Sequence, residues 1–208
     1  MDKFTTLRAV AAPYYHADVD TDELIPHRFL RKPLSAGYGN FLFHDKRRGP
    51  DGQEDAGFVL NREPYAKAQV LVSGRNFGCG STREGAVYAL RDAGIRAVIA
   101  PSFADIFSGN CMQNGVLTVA LPERSVEDLC RQLEDQPGAE VTVDLGKQVV
   151  TMPDGKFCSF DIQPSKKTLL LEGLDDIALT LKHRDTIARF EAKYHARLPW
   201  LPVEPRPR

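Results

Sequence analysis

A glycine-rich turn between a buried strand and a helix constrains this sequence most. The apolar run 69–72 predicts a buried strand, residues 74–80 (Gly-Arg-Asn-Phe-Gly-Cys-Gly) predict a turn, and 81–91 predict a helix. Gly94 ends the predicted helix, and the apolar run 97–100 predicts the next strand. A strand, a crossover helix and a second strand form a right-handed unit with parallel strands. We therefore predict an α/β fold with a central sheet flanked by helices.

Weaker patterns extend this unit in both directions. We expect strands at 4–10, 116–120, 141–152 and 156–162, helices at 103–110, 125–135 and 173–195, and a hairpin turn at Pro153-Asp154-Gly155. Residues 31–57 are rich in glycine, proline and charge, which predicts a long irregular excursion. The organisation that follows is a single domain over 1–195 and a proline-rich C-terminal tail over 196–208.

Composition excludes several function classes. The formal net charge of -1 over 208 residues gives no electrostatic basis for binding nucleic acid or an anionic membrane. The sequence has no apolar run of membrane-spanning length and no signal peptide, so we expect a cytoplasmic protein. The four cysteines lie far apart without a C-x-x-C pair, which predicts free thiols and no metal or iron–sulfur cluster held by this chain.

The glycine-rich turn invites comparison with phosphate-binding loops, and its details differ from them. No lysine follows Gly80, and Arg83 stands where a dinucleotide fingerprint needs a glycine. Ser81 and Glu84 instead fit a capping box, a purely structural role. A functional role is compatible with it, because a helix start favours an ionised oxygen, and Arg83 can bind a carboxylate bidentately.

The residues around this turn resemble a known family. Residues 74–84, Gly-Arg-Asn-Phe-Gly-Cys-Gly-Ser-Thr-Arg-Glu, are similar to the signature loop of the swivelling domain of the aconitase superfamily, most of all in bacterial 3-isopropylmalate dehydratase small subunits. Three other segments resemble family motifs in the same order: 18–26, 101–115 and 170–181. The likeness covers about residues 1–195.

The resemblance implies a swivelling β/β/α domain that works with a large iron–sulfur subunit, in a heterodimer or heterotetramer. That subunit would carry a [4Fe–4S] cluster, and the small dicarboxylate substrate 2-isopropylmalate would be converted to 3-isopropylmalate through isopropylmaleate, in leucine biosynthesis. By resemblance, Ser81 is the catalytic base, Arg83 and Thr82 bind substrate, and Asp22, Thr21 and Gly80 support them.

The segment after Pro26 lies where this family sets substrate choice. Phe29 and Leu30 could contact the isopropyl group and Arg31 a carboxylate, although a surface role fits them equally. For Asp18, Asp20 and Asp22, a turn-forming loop is the structural alternative, and calcium binding is weaker because an EF-hand's glycine and glutamate are missing.

One departure from the family pattern keeps other functions open. Gly85 stands where the family usually has histidine, and the next residues differ from its usual Ala-Pro-Trp. This difference admits a paralogue acting on another 2-hydroxy diacid, of methylmalate or citramalate type. It also admits a non-catalytic binding protein that keeps the fold.

Overall fold

The computed structural model describes residues 1–200. By contacts the chain divides into two compact units, Met1–Gly173 and Leu174–Arg208. The first unit contains seven strands and six α-helices: β1 Thr6–Tyr14, α1 Thr21–Leu24, α2 His44–Arg47, β2 Val70–Ser73, α3 Gly85–Asp92, β3 Ala97–Ala100, α4 Asp105–Gln113, β4 Leu117–Ala120, α5 Glu123–Asp135, β5 Glu140–Asp144, β6 Val149–Thr151, β7 Phe157–Ser159 and α6 Pro164–Glu172. The described part of the second unit contains α7 Asp176–Leu181 and α8 Arg184–Arg197.

All seven strands form one mixed sheet in the order β4-β3-β2-β1-β5-β6-β7. Neighbours from β4 to β1 are parallel, and neighbours from β1 to β7 are antiparallel. The predicted fold class, an α/β sheet flanked by helices, is confirmed. The turn at residues 153–155 is confirmed as well, because β6 and β7 pair on either side of it.

The sheet separates two hydrophobic layers. Successive residues of β2 face opposite sides, with Leu71 in one layer and Val70 and Val72 in the other, as strand geometry requires. The first layer includes α3 and the long segment 26–68, which contains the predicted excursion 31–57. The second layer includes α5 and α6. Burial on both faces explains why β3 and the first three residues of β2 are apolar in sequence.

Several predicted elements differ from those observed. The predicted strand 141–152 is a hairpin, β5 and β6, whose turn includes Gln148 at φ 56. The predicted helix 173–195 is interrupted at Lys182 and His183, where α7 ends and α8 begins. The sequence patterns did not predict α1 and α6, which are short and have weak apolar periodicity.

The C-terminal tail is described only in part. Of the predicted tail 196–208, residues 201–208 lie outside the described residues, and Arg197 ends α8. The single-domain boundary at residue 195 stays a prediction. Over residues 1–200, no helix has both the length and the apolar character needed to cross a membrane.

Candidate functional site

The candidate site forms where three neighbouring parallel strands end. The segments that follow β1, β2 and β3 are joined by short parallel bridges, Asp20 with Cys79 and Phe77 with Phe103. Backbone hydrogen bonds reinforce the first of these, since Thr21 N donates to Cys79 O at 2.8 Å and Gly78 N to Val19 O at 2.8 Å. The carboxyl edge of a parallel sheet is the usual place for ligand sites in such folds.

Two glycines let the 74–84 turn pack this closely. A Cβ on Gly78 would lie 2.2 Å from the ring of Phe107, so the buried ring leaves no room for a side chain. Gly80 has φ +95, a conformation that L-residues rarely adopt, and its backbone faces Asp20 and Thr21. The turn therefore depends on glycine for backbone conformation at both positions, since Gly78 has φ +77, and at Gly78 for packing as well.

Ser81 and Arg83 are in direct contact. The Arg83 side-chain Nε donates to Ser81 Oγ at 2.8 Å, and the Arg83 backbone N–H donates to the same oxygen at 3.2 Å. The buried Thr21 holds the turn from below, because its Oγ1 accepts a hydrogen bond from Ser81 N at 2.9 Å. One hydroxyl oxygen thus faces a cationic donor and a backbone N–H together.

These residues share a narrow pocket that has a polar side and an apolar side. Thr21, Asp22, Ser81 and Arg83 provide the polar side. Ile25, Leu30 and Ala86 provide the apolar side. In this chain alone the space between these residues is about 150 Å³, part of it open to solvent, and it is too narrow to admit a water molecule. Such a lining suits a small molecule that carries a carboxylate and an alkyl group.

The predicted capping box at Ser81 and Glu84 is wrong. The helix α3 begins at Gly85, with Glu84 at the N-cap position and no capping hydrogen bond from its side chain. The Glu84 carboxylate instead accepts a hydrogen bond from the Tyr88 hydroxyl, one turn along the helix. This hydrogen bond, with partial burial, raises the pKa of Tyr88 to about 12. The turn is held by its contacts with α1 rather than by capping. Ser81 Oγ therefore makes no capping hydrogen bond and accepts hydrogen bonds from Arg83 instead.

The structure brings most of the predicted site residues together. Thr21, Asp22, Ser81 and Arg83 line the pocket, and Gly80 adjoins Thr21. Arg31 is exposed and does not line the pocket. Thr82 is exposed too, and its carbonyl accepts a hydrogen bond from Asn110 Nδ2 at 3.1 Å, which anchors the turn to α4. The roles of Arg31 and Thr82 stay predictions.

Two apolar pocket residues, Ile25 and Ala86, were not predicted from the sequence. Ile25 lies three positions after Asp22 at the end of α1, and Ala86 lies three positions after Arg83. Arg83 precedes the N-cap of α3 and Ile25 is extended at the C-cap of α1, so helical spacing does not link these pairs and no local pattern marked the two apolar residues.

The described residues offer no ligand set for a metal. No group of three or more histidine, cysteine, aspartate or glutamate side chains is arranged to hold an ion within residues 1–200. Cys111 and Cys130 are buried in the hydrophobic layers, and burial raises the pKa of both thiols. The residues that the structure describes therefore do not fit an iron–sulfur cluster.

Models of known protein families match almost the whole chain. The aconitase C-terminal domain matches residues 1–124, and a model described as LeuD_N matches 127–164. The C-terminal domain of the 3-isopropylmalate dehydratase small subunit matches 176–203. The fold is thus that of an aconitase-type C-terminal domain.

Individual relatives identify the family within the class of aconitase-type domains. The 3-isopropylmalate dehydratase small subunit of Paramagnetospirillum magneticum is 51% identical, covering 97% of this chain and 100% of the relative. That of Granulibacter bethesdensis is 52% identical, covering 97% of each. A crystal structure of 3-isopropylmalate dehydratase from Methanocaldococcus jannaschii aligns with a TM-score of 0.62 at 27% identity, covering 89% of this chain and 99% of that one. The chain belongs to the family of 3-isopropylmalate dehydratase small subunits.

Proposed function

We propose that this chain is the small subunit of a 3-isopropylmalate dehydratase and contributes Ser81 and Arg83 to its active site. With a large subunit, it would interconvert 2-isopropylmalate and 3-isopropylmalate through isopropylmaleate. The single observation that carries the proposal is the 2.8 Å contact between Arg83 Nε and Ser81 Oγ, in a pocket that also has an apolar side. Full-length relatives with this name support it.

The contact explains how a serine could act as the base. A hydroxyl oxygen is a weak base unless its ionised form is stabilised by neighbouring donors. Arg83 supplies two N–H donors to Ser81 Oγ, one from the guanidinium and one from the backbone. We propose that Ser81 works as an alkoxide held by these donors and takes the C–H proton. The electron pair of that C–H bond forms the C=C bond, and the substrate hydroxyl, protonated by a general acid of the large subunit, leaves as water.

The same guanidinium can also orient the substrate. Among the described residues, no acceptor is hydrogen-bonded to the two Nη nitrogens of Arg83, so they remain available for a carboxylate. A carboxylate bound there would place its neighbouring carbon beside Ser81, because one planar group holds both. The alkyl group would then face Ile25, Leu30 and Ala86.

The supporting residues have distinct proposed roles. Thr21 fixes the Ser81 backbone through its hydroxyl, and Gly80 allows the turn to pass Thr21 closely. Asp22 is exposed at the pocket rim, where it would face the large subunit or the substrate. Arg31 and Thr82 would reach the substrate only when the complex closes around it.

The exposure of the site supports the proposal that a large subunit is needed. Arg83 and Asp22 are exposed, and the pocket is too small and open to surround a diacid by itself. We propose that a [4Fe–4S] cluster resides in the large subunit, since the described residues of this chain provide no ligand set for one.

The test is a hydration assay with the reconstituted complex. The chain is mixed with its cognate large subunit, complex formation is checked by size-exclusion chromatography, and isopropylmaleate, citraconate and cis-aconitate are offered in turn. Ser81→Ala is compared with Ser159→Ala, which changes an exposed serine on β7.

We expect a preference for isopropylmaleate, lost in Ser81→Ala by about 10³-fold or more in kcat and retained in Ser159→Ala. Preference for another diacid would assign the chain to a paralogous hydro-lyase. No turnover by an intact complex would contradict a catalytic role and favour a binding protein.

A further inference from the structure

Gly85, the first residue of α3, is buried against the excursion that follows Pro26. A Cβ built on Gly85 would lie 2.3 Å from Leu30 Cδ2, far inside contact distance. The backbone does not require glycine here, because Gly85 is helical and is not among the residues with positive φ. The methyl group of Leu30 therefore occupies the space that any side chain at position 85 would need.

Hydrogen bonds within the segment after Pro26 hold the backbone of Leu30 in place. Leu30 N donates to His27 O at 3.1 Å, and the buried Tyr38 donates its hydroxyl to Leu30 O at 3.3 Å and to Lys32 O at 3.0 Å. The Tyr38 ring also packs edge-on against Tyr88 of α3. Because the backbone is held, a residue larger than glycine at position 85 would move the end of the Leu30 side chain rather than the loop.

The end of this side chain is part of the candidate site. Leu30 lines the pocket with Ile25 and Ala86, opposite Ser81 and Arg83. Moving a methyl group here by an ångström or more changes the shape of the apolar side and leaves the polar side in place. A terminal methyl group moves easily, so the effect on shape is larger than the effect on stability.

We propose that Gly85 is a specificity-determining position, which acts by admitting the Leu30 side chain and so shaping the wall that receives the substrate's alkyl group. This inference rests on the proposed function, since it assumes that a diacid carboxylate lies on Arg83. Gly85 is a positioning residue, and Leu30 is the residue that would touch the substrate.

The test is a double-mutant cycle in the reconstituted complex. Gly85→Ala, Leu30→Ala and the double variant are each measured for kcat and KM with isopropylmaleate and with citraconate, which carries a methyl group instead. Gly109→Ala is the matched control, because Gly109 is also helical and nothing lies within 4 Å of a Cβ built there. Thermal unfolding of each variant reports whether it folds. If Gly85→Ala disturbs α3, Leu30→Ala still changes the apolar wall of the pocket, because it leaves α3 unchanged.

We expect Gly85→Ala to lower kcat/KM for isopropylmaleate about tenfold more than for citraconate, as for the misfit of one or two methyl groups. In the Leu30→Ala background, the same change should alter this ratio by less than about twofold, because no methyl group remains to be displaced. Gly109→Ala should leave the ratio unchanged.

An unchanged ratio in Gly85→Ala, or an equal effect in both backgrounds, would overturn the inference while leaving the proposed function intact. A wild-type complex that turns over neither substrate would overturn the proposed function, and this inference with it.

Discussion

The two halves of the sheet differ in how their strands are joined. In the parallel half, β1 to β4, each connection crosses back over the sheet, so a segment leaves the same edge after every strand. In the antiparallel half, β5 to β7, the strands are joined by turns at residues 145–148 and 152–156. Only the parallel half brings sequence-distant segments together at one edge.

The contacts at the two kinds of connection reflect this difference. Hydrogen bonds between the 18–21 and 75–81 segments join residues about 60 positions apart, such as Ser81 N with Thr21 Oγ1. In the hairpin turns, Asp144 accepts from Lys147 N and Asp154 from Lys156 N, two or three positions away. The carboxyl edge of the parallel half can therefore combine residues of several chemical types more readily than a hairpin turn can, because each of its segments comes from a different part of the sequence.

The largest expected effect is on the activity of Arg83→Lys. We expect kcat/KM to fall by about 10²- to 10³-fold, because one ammonium group cannot hold Ser81 Oγ and bind a carboxylate bidentately. The comparison is Arg8→Lys, where an exposed arginine on β1 pairs with Glu140 of β5. Steady-state kinetics of the complex should show no change in Arg8→Lys. Equal losses in both variants would mean that the contact at Ser81 has no special role.

The second prediction compares two strained glycines, one in the candidate site and one outside it, to separate an effect on stability from an effect on activity. Gly80 and Gly155 have φ +95 and +82, so alanine is strained at both. We expect each Gly→Ala change to lower the free energy of unfolding by about 1–2 kcal/mol in urea titrations. Only Gly80→Ala should lower kcat, by about 10²-fold, because it displaces the Ser81 backbone. Normal activity in Gly80→Ala would show that the turn tolerates rearrangement.

Thr21→Val tests the contact between α1 and the turn. Removing the hydroxyl leaves Ser81 N without its acceptor in a buried setting, which costs about 1–3 kcal/mol of stability. We expect kcat to fall about tenfold, a smaller loss than in Gly80→Ala, because the backbone conformation is kept.

The control is Thr118→Val on β4, which removes the hydroxyl of a buried threonine, 2.8 Å from Ser108 Oγ of α4. It should lose similar stability and keep full activity. If both threonine variants lose activity in proportion to stability, Thr21 has only a structural role.

Prediction from sequence succeeded where the pattern was local or the motif was long. The strand at 97–100 and the turn at 153–155 follow from apolar runs and from glycine and proline chemistry. Ser81 and Arg83 were chosen from a motif, and the structure places them in contact. The catalytic and substrate-binding roles of Ser81 and Arg83 stay predictions, but their contact, like the strand and the turn, joins residues close together in the chain.

The failures involve contacts over long sequence distance. The capping box at Ser81 was predicted from a four-residue pattern, but Thr21 and Arg83 hold the turn instead, so Glu84 bonds Tyr88. The space next to Gly85 is filled by Leu30, 55 positions earlier, and no local pattern reports such packing. Burial of this kind depends on the whole fold, and a single sequence shows only its periodicity.

The smallest expected effect is a difference between the two halves of the sheet in how the free energy of unfolding changes at alkaline pH. The hydrogen bond to Glu84, with burial, raises the pKa of Tyr88 in the parallel half to about 12. A group with a raised folded-state pKa keeps its full contribution to stability below its unfolded pKa of about 10, and loses it as the pH rises through 12. The free energy of unfolding should therefore fall between about pH 10 and 12 by a small amount, because Tyr88 is only partly buried and solvent screens its pairing with Glu84.

Tyr88→Phe should remove this part of the slope, measured by urea unfolding at several pH values across that window. In the antiparallel half, the Asp154 side chain raises the pKa of Lys156, but the Lys156 side chain is highly exposed, and solvent screens the pairing. Lys156→Gln should therefore leave the slope unchanged. If the two variants behave alike, the hydrogen bond between Tyr88 and Glu84 is no better shielded from water than a turn at the sheet's far end, and the packing of α3 beside the site is looser than its burial implies.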